Sequence, residues 1–433
     1  MEFLDFLEKA PTAFHAVKEA ADILDSFGFT KLQEGEKWNL EPNGKYYFTR
    51  NNSSLLAFTL PNEYKKISYN IVAAHTDSPT FKIKPNYTLA KGRYNELNTE
   101  VYGGPILNTW MDRPLNIAGR IIVKSNEHTL KTMLVSFDKP MCIIPNCSIH
   151  YYHELNTGVK LNPQVDLLPI LSDNNIDNKD LLDLVAEKLN IKRDAIVSHD
   201  LYLSLLDRGM LGGANNEFIF APQIDNLECS YAALRALTMT DAPKSSINIA
   251  VLFDNEEIGS RTRQGAASMM LADTLKRISN ALGLTEEEHV IALSESFIVS
   301  ADNAQGFHPN YPSKYDPTNA SYINDGIVIK NAARGSYTTD AMSLAYFQEI
   351  CKKANAKYQL NTNRSDIPGG STLGAISLSN VSIHSVDIGL PQIAMHSAME
   401  TAGAFDYDEL IKALKEFYST HLNVTEDGYL SFE

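Results

Sequence analysis

Residues 247–260 read Ile247-Asn248-Ile249-Ala250-Val251-Leu252-Phe253-Asp254-Asn255-Glu256-Glu257-Ile258-Gly259-Ser260. A mostly apolar run of strand length ends in adjacent carboxylates, and the same grammar recurs along the chain. Ile67 to Ala74 delivers His75 in Ala73-Ala74-His75-Thr76-Asp77-Ser78-Pro79, Phe297 to Ala301 delivers Asp302, and Val381 to Ile388 leads toward His396. Strand ends that feed functional side chains to one place predict an open α/β sheet, with ligands bound outside the strands' carboxyl edge. Apolar helical spacing over Phe3 to Gly28, Asn226 to Leu237 and Asp406 to Phe417 supplies helices for the sheet faces, an α/β/α sandwich. Asp225 stands where it could cap the second of these helices.

Between residues 89 and 221 the character changes to strand-like pieces, Gly119 to Val123 and Thr132 to Ser136, among many Asn, Pro and Gly. A helix from about Asn178 to Leu189 interrupts them. None of the candidate site residues named so far lies in this stretch. The expected organisation is a discontinuous catalytic domain, 1–88 and 222–433, split by an inserted, mostly β domain, 89–221.

Composition narrows the class. The chain has 433 residues, 44% of them hydrophobic and 21% charged, as expected of a globular protein with room for two domains. A formal net charge of -15 disfavours nucleic acid and anionic membrane as partners. Four cysteines, Cys142, Cys147, Cys229 and Cys351, form no C-x-x-C pair and no disulfide framework. Residues Met1 to Ala21 lack the basic-then-apolar order of a signal peptide, and no apolar run reaches membrane-spanning length. The expected location is a reducing cytoplasm.

His75, Asp225, Glu257, Asp302 and His396 offer two imidazoles and three carboxylates, a donor set suited to two divalent ions. Zn2+ fits first, and Co2+ or Mn2+ can use the same donors. Holding two ions requires a bridging carboxylate, assigned here to Asp225; His75 with Asp302 then completes one site, and Glu257 with His396 the other. Adjacent acids at a strand end point in different directions, so Glu257 is read as ligand and Glu256 as general base. Asp77, two residues past His75, suits an orienting role toward the imidazole. Taken singly, each residue is more often a cap or a solvated loop residue than a ligand; their joint order carries the signal.

With these segments in place the chain resembles the aspartyl aminopeptidases, a branch of the dinuclear zinc aminopeptidases. The resemblance runs over nearly the whole sequence: residues 11–17, His75-Thr76-Asp77-Ser78-Pro79, residues 254–260, His308-Pro309-Asn310-Tyr311 and residues 391–397. It implies a zinc-peptidase α/β domain, an inserted dimerisation domain, a homo-oligomer that is a dodecamer built from dimers, and removal of N-terminal Asp or Glu from peptide substrates. Carried over by position, His150 looks like the inserted-domain histidine that enters a neighbouring subunit's site. Lys330 and Tyr337 resemble the pair that receives the substrate's acidic side chain or carbonyl oxygen, and Met395 lines the same pocket. The chain departs from the family pattern at Gln305, where many members have a histidine, and at Gln223, where a basic residue often precedes the bridging aspartate. Glutamine donates a hydrogen bond but carries no charge. The alternatives are therefore an aminopeptidase of broader specificity that accepts neutral N-termini, or a catalytically silent metal-binding scaffold. Retention of Glu256 counts against the scaffold.

Overall fold

The computed structural model describes residues 2–63, 66–176, 179–241, 246–370 and 372–433. Among them the central sheet has nine strands. Four form its parallel middle, in the spatial order Ile247–Phe253, Tyr69–His75, Phe297–Ala301 and His384–Gly389. Ser54–Thr59 and Lys45–Arg50 extend one side antiparallel, and Ile327–Asn331 with Tyr358–Thr362 extend the other. Three of the four middle strands are buried throughout and His384–Gly389 is buried after its first residue, as expected where helices cover both faces.

Strand periodicity sorts their side chains. Val72, Ala74, Ala250 and Leu252 join the core shared with helices Glu2–Lys9, Ala13–Ser26, Ile224–Met239, Ala341–Lys353 and Asp406–Ser419. Ile71, Ala73, Ile249 and Val251 join the core on the opposite face, against helix Met270–Ala281. The chain is thus a mixed α/β protein with helices on both faces of the sheet. The single N-terminal helix expected over Phe3 to Gly28 is two helices, because Pro11 can neither donate a main-chain hydrogen bond nor admit the preceding turn. Gly28, at φ +77°, lies just past the second, where the left-handed conformation favours glycine.

A second, β-rich unit takes its strands in the order Ile196–Leu205, Thr80–Lys91, Tyr94–Tyr102, Ile170–Asp173, Cys142–Ile143, Pro114–Asn126 and Thr129–Ser136. Ile196–Leu205 also pairs with Pro114–Asn126, so six of these strands close into a ring around Phe81, Ile117 and Leu201. The expected boundary between residues 88 and 89 falls inside the strand Thr80–Lys91, which already pairs within this second sheet from Thr80 onward. Asn178, the expected start of the helix ending at Leu189, lies outside the described residues; the helix runs Leu181–Leu189 behind an Asp180 capping box.

A small third sheet lies against the carboxyl edge of the first. Its order is Met210–Gly212, Phe218–Ala221, Glu400–Gly403, Pro391–Ile393, Ala304–Gln305. It fixes the chain just before Asp225, just after Asp302 and on both sides of His396. No helix among the described residues is long and apolar enough to cross a membrane.

Candidate metal centre

Phe253 and His75 end neighbouring parallel strands in register, so the turn after one and the side chain of the other meet at one edge. Asp302 follows the next strand. Asp225 sits at the start of Ile224–Met239, where residues 225 and 226 depart from helical backbone and the Asp225–Asn226 peptide is cis. The N-cap position of this helix falls to Gln223 rather than to Asp225, so the expected cap at Asp225 is not formed. The carboxylate instead points to the two histidines.

His75 Nε2 lies 3.5 Å from Asp225 Oδ1 and 3.5 Å from Asp302 Oδ1. His396 Nε2 lies 3.6 Å from Asp225 Oδ2 and 3.5 Å from Glu257 Oε1. One aspartate thus faces a histidine with each of its oxygens, and each histidine faces one further carboxylate. These separations are long for hydrogen bonds. They suit two donors about 2.0–2.1 Å from a shared tetrahedral ion, which stand roughly 3.3 Å apart. Asp225 Oδ1 is also buried without a hydrogen-bond partner among the described residues, the condition of a lone pair kept for a cation. Donor atoms of His75, Asp225 and Glu257 lie within 4.8 Å of one another. The residues present fit a carboxylate-bridged pair of divalent ions.

Electrostatics agree with the geometry. Burial disfavours charge on His75, but the neighbouring carboxylates of Asp225, Asp302 and Asp77 outweigh it and hold the ring's pKa well above the ordinary value. Burial likewise opposes charge on His396, and Asp225 and Glu257 push it up to about 10. Protons held this strongly mark a cluster with excess negative charge, which a divalent cation would satisfy. Glu256 is raised to about 7 by burial, with His75 opposing, and so stands in the range of a general base near neutral pH.

The surrounding contacts brace the donors. Asp77 accepts His75 Nδ1 on its main-chain oxygen at 3.0 Å, and its carboxylate takes the main-chain N–H groups of Glu256 at 3.1 Å and Glu257 at 3.2 Å. It orients the ring and the acidic turn together. Ser230 Oγ donates to the His75 carbonyl, Ser78 Oγ to that of Asp225, and Asn226 Nδ2 to that of Ala301, tying the strand ends to the helix start.

Composition and spacing gave no role to Glu400. It is fully buried, and its two oxygens accept the main-chain N–H groups of Asp225 at 3.0 Å and His396 at 2.7 Å. His396 has φ +68°, an unfavourable region for a histidine, and Glu400 helps to hold it there. The only sequence signal was its place four residues after His396.

The remaining candidates fall into four places. Lys330 is buried, donates to the carbonyl of Asn303 at 2.8 Å, and lies 5.5 Å from the centre of the Tyr337 ring. Burial opposes its charge, yet Asp302 and other nearby groups raise its pKa, so it stays cationic beside the cluster. Gln305 Nε2 contacts Met395 Sδ at 3.0 Å on the exposed rim. His150 lies on an exposed loop, and among the described residues its ring makes no hydrogen bond or ion pair. Gln223, at φ +59°, donates to the Pro11 carbonyl at 3.5 Å and ties this turn to the N-terminal segment.

Histidines paired across a shared carboxylate at the carboxyl edge of an α/β sheet define a metallohydrolase type of centre. The Aminopeptidase I zinc metalloprotease (M18) family matches residues 6–418. A probable M18 family aminopeptidase 2 of Clostridium novyi is 47% identical over 96% of this chain and 98% of its own length. An aspartyl aminopeptidase of Dictyostelium discoideum is 35% identical over 96% and 95%. Among solved structures, one of the Ape4 and Nbr1 complex is 34% identical with a TM-score of 0.93, covering 96% of this chain and 84% of that one. The mApe1 dodecamer of S. cerevisiae is 27% identical with a TM-score of 0.82, covering 96% and 95%. The chain belongs to the M18 family and is a metallo-aminopeptidase, a hydrolase of peptide bonds that works with a metal cofactor.

Proposed function

We propose that this aminopeptidase removes acidic residues, Asp or Glu, from the N-terminus of peptides, using two divalent ions per subunit. The observation that supports the acidic preference is Lys330, a buried cation near Asp302 with its ammonium 5.5 Å from the centre of the Tyr337 ring, a charge suited to attract a carboxylate. The likeness to an aspartyl aminopeptidase supports the same reading. His75, Asp225 and Asp302 would hold one ion and Asp225, Glu257 and His396 the other. When bound, these ions supply Lewis acidity at the scissile carbonyl and acidify water.

The chain's own groups do the rest. Glu256 takes a proton from the attacking water, whose oxygen bonds to the carbonyl carbon. The Tyr337 hydroxyl donates to the oxyanion that develops. The C–N bond then breaks, and Glu256 returns its proton to the leaving amine. Asp77 keeps the His75 ring and the Glu256–Glu257 turn in register throughout.

Gln305 and Met395 form the rim of the specificity pocket in this reading. The neutral side chain of Gln305 favours a second one, acceptance of uncharged N-termini. We further propose that the β-rich unit is an inserted dimerisation domain, that dimers assemble into a dodecamer, and that His150 acts in the site of a neighbouring subunit. Its exposed loop, with Tyr151 and Tyr152 also exposed, supports this, as does the dodecameric relative. A cytoplasmic location accords with four free cysteines.

The test is hydrolysis of matched peptides with N-terminal Asp, Glu, Ala, Leu or Lys, with and without chelator. Chelator-sensitive activity confined to Asp and Glu is expected. Equal or faster cleavage of Ala or Leu peptides would move the protein to the broader specificity, and no turnover by metal-loaded oligomer would leave only a scaffold.

A further inference from the structure

The turn Tyr102-Gly103-Gly104, at the exit of strand Tyr94–Tyr102 in the β-rich sheet, touches both halves of the metal centre. On one side the Tyr102 hydroxyl donates to Asp77 Oδ2 at 2.8 Å and accepts from Asn255 Nδ2 at 2.8 Å. Asp77 is the residue that holds His75 Nδ1 and the main chain of Glu256 and Glu257. On the other side the Gly104 carbonyl lies 3.0 Å from His396 Nδ1, and Ile106 N–H donates to the His396 carbonyl at 2.9 Å. Between them Gly103 has φ +71°, and a Cβ there would lie 3.0 Å from Glu257 Cβ.

A carbonyl oxygen at Nδ1 selects the tautomer whose proton is on Nδ1, leaving the Nε2 lone pair for a metal. Both histidines have this arrangement, and both Nε2 atoms face the carboxylate cluster. One of the two carbonyls, and the hydroxyl that braces the residue bearing the other, belong to a single turn of the β-rich unit. That turn is also locked against the acidic loop through Asn255 and Glu257.

We propose that residues 102–104 are a positioning element that fixes both metal-binding histidines, with Tyr102 as its key side chain. The β-rich unit is then part of the metal centre as well as a surface for association. This rests on the two-ion reading given above.

The first variant is Tyr102→Phe in the full-length protein. It keeps the ring edge-on to Tyr202, centroids 5.8 Å apart, and removes only the hydroxyl. Zinc content after dialysis, the rate of zinc release to a chelating dye, thermal stability and kinetics with an N-terminal Asp peptide are compared with wild type. Release about tenfold faster or more, with kcat lowered and KM within about twofold, is expected. Release at the wild-type rate overturns the proposal, whether thermal stability falls or not. Gly103→Ala, which crowds Glu257 and strains the turn, carries the same expectation and decides the matter if the phenylalanine variant does not fold. Wild-type protein that binds no zinc would instead overturn the two-ion reading, and with it this inference.

Discussion

Glu228 carries the clearest consequence for stability. It lies three residues after Asp225, fully buried; Oε2 accepts from Asn303 Nδ2 at 3.0 Å, and Oε1 has no hydrogen-bond partner among the described residues. Burial, with Asp406 and Asp225 adding to it and Asn303 opposing, raises its pKa from 4.5 to about 8. The folded chain therefore keeps this proton over a range in which the unfolded chain has released it. Stability contributed here is fully present below about pH 4.5, falls as pH rises, and levels off above about pH 8. At about 1.36 kcal/mol per unit, the loss is about 2 kcal/mol at pH 6 and about 4 kcal/mol at pH 8. Glu228→Gln keeps an acceptor for Asn303 and cannot ionise. Urea unfolding of both proteins at pH 6 and pH 8, at one protein and one zinc concentration, isolates the effect. The variant should gain about 2 kcal/mol on wild type between the two pH values. Curves that run parallel within about 0.5 kcal/mol would refute the reasoning, because a buried carboxyl with a displaced pKa cannot be silent in this interval.

Three further outcomes follow from the site. Glu256→Gln should lower kcat by about 10²- to 10⁴-fold while zinc content stays at the wild-type level; loss of metal would make Glu256 a ligand instead. Asp225→Ala should cost both ions, because each oxygen faces a different histidine, and dialysed protein should retain zinc at least about 100-fold less tightly. His150→Ala should abolish turnover in an oligomer of unchanged size with unchanged zinc content, and the reading fails if isolated subunits cleave peptides as fast as the assembly.

Much of the sheet was legible because a strand buried on both faces must be apolar along its length. Ile247 to Phe253 and Phe297 to Ala301 are strands with the ends their sequences predict. Tyr69–His75 begins two residues later than the apolar run suggests, and His384–Gly389 begins three later. Ile67 and Val381 are buried by packing outside the ladder, and apolar character does not distinguish packing from pairing. The N-terminal apolar spacing continues across Pro11 because both helices pack into one core, so periodicity alone joined them. The sheet boundary at Thr80 was hidden for a different reason: Thr80–Lys91 belongs to the second sheet by pairing with Tyr94–Tyr102, and nothing local to it announces that partner.

By itself the sequence determined the donor chemistry. Histidine and carboxylates at the ends of apolar runs follow from local pattern, and so does the general-base candidate beside Glu257. Only the tertiary structure decided how those donors are held. It turns Asp225 away from its helix cap to face both histidines, buries Lys330 beside Asp302, and recruits Glu400 and the Tyr102 turn from other sheets. Those roles depend on distances across 25 to more than 290 positions of chain, between Tyr102 and Asp77 and between Gly104 and His396. A side chain's type is fixed where it is encoded, whereas its partner is fixed by the packing that brings remote strands and loops to one edge.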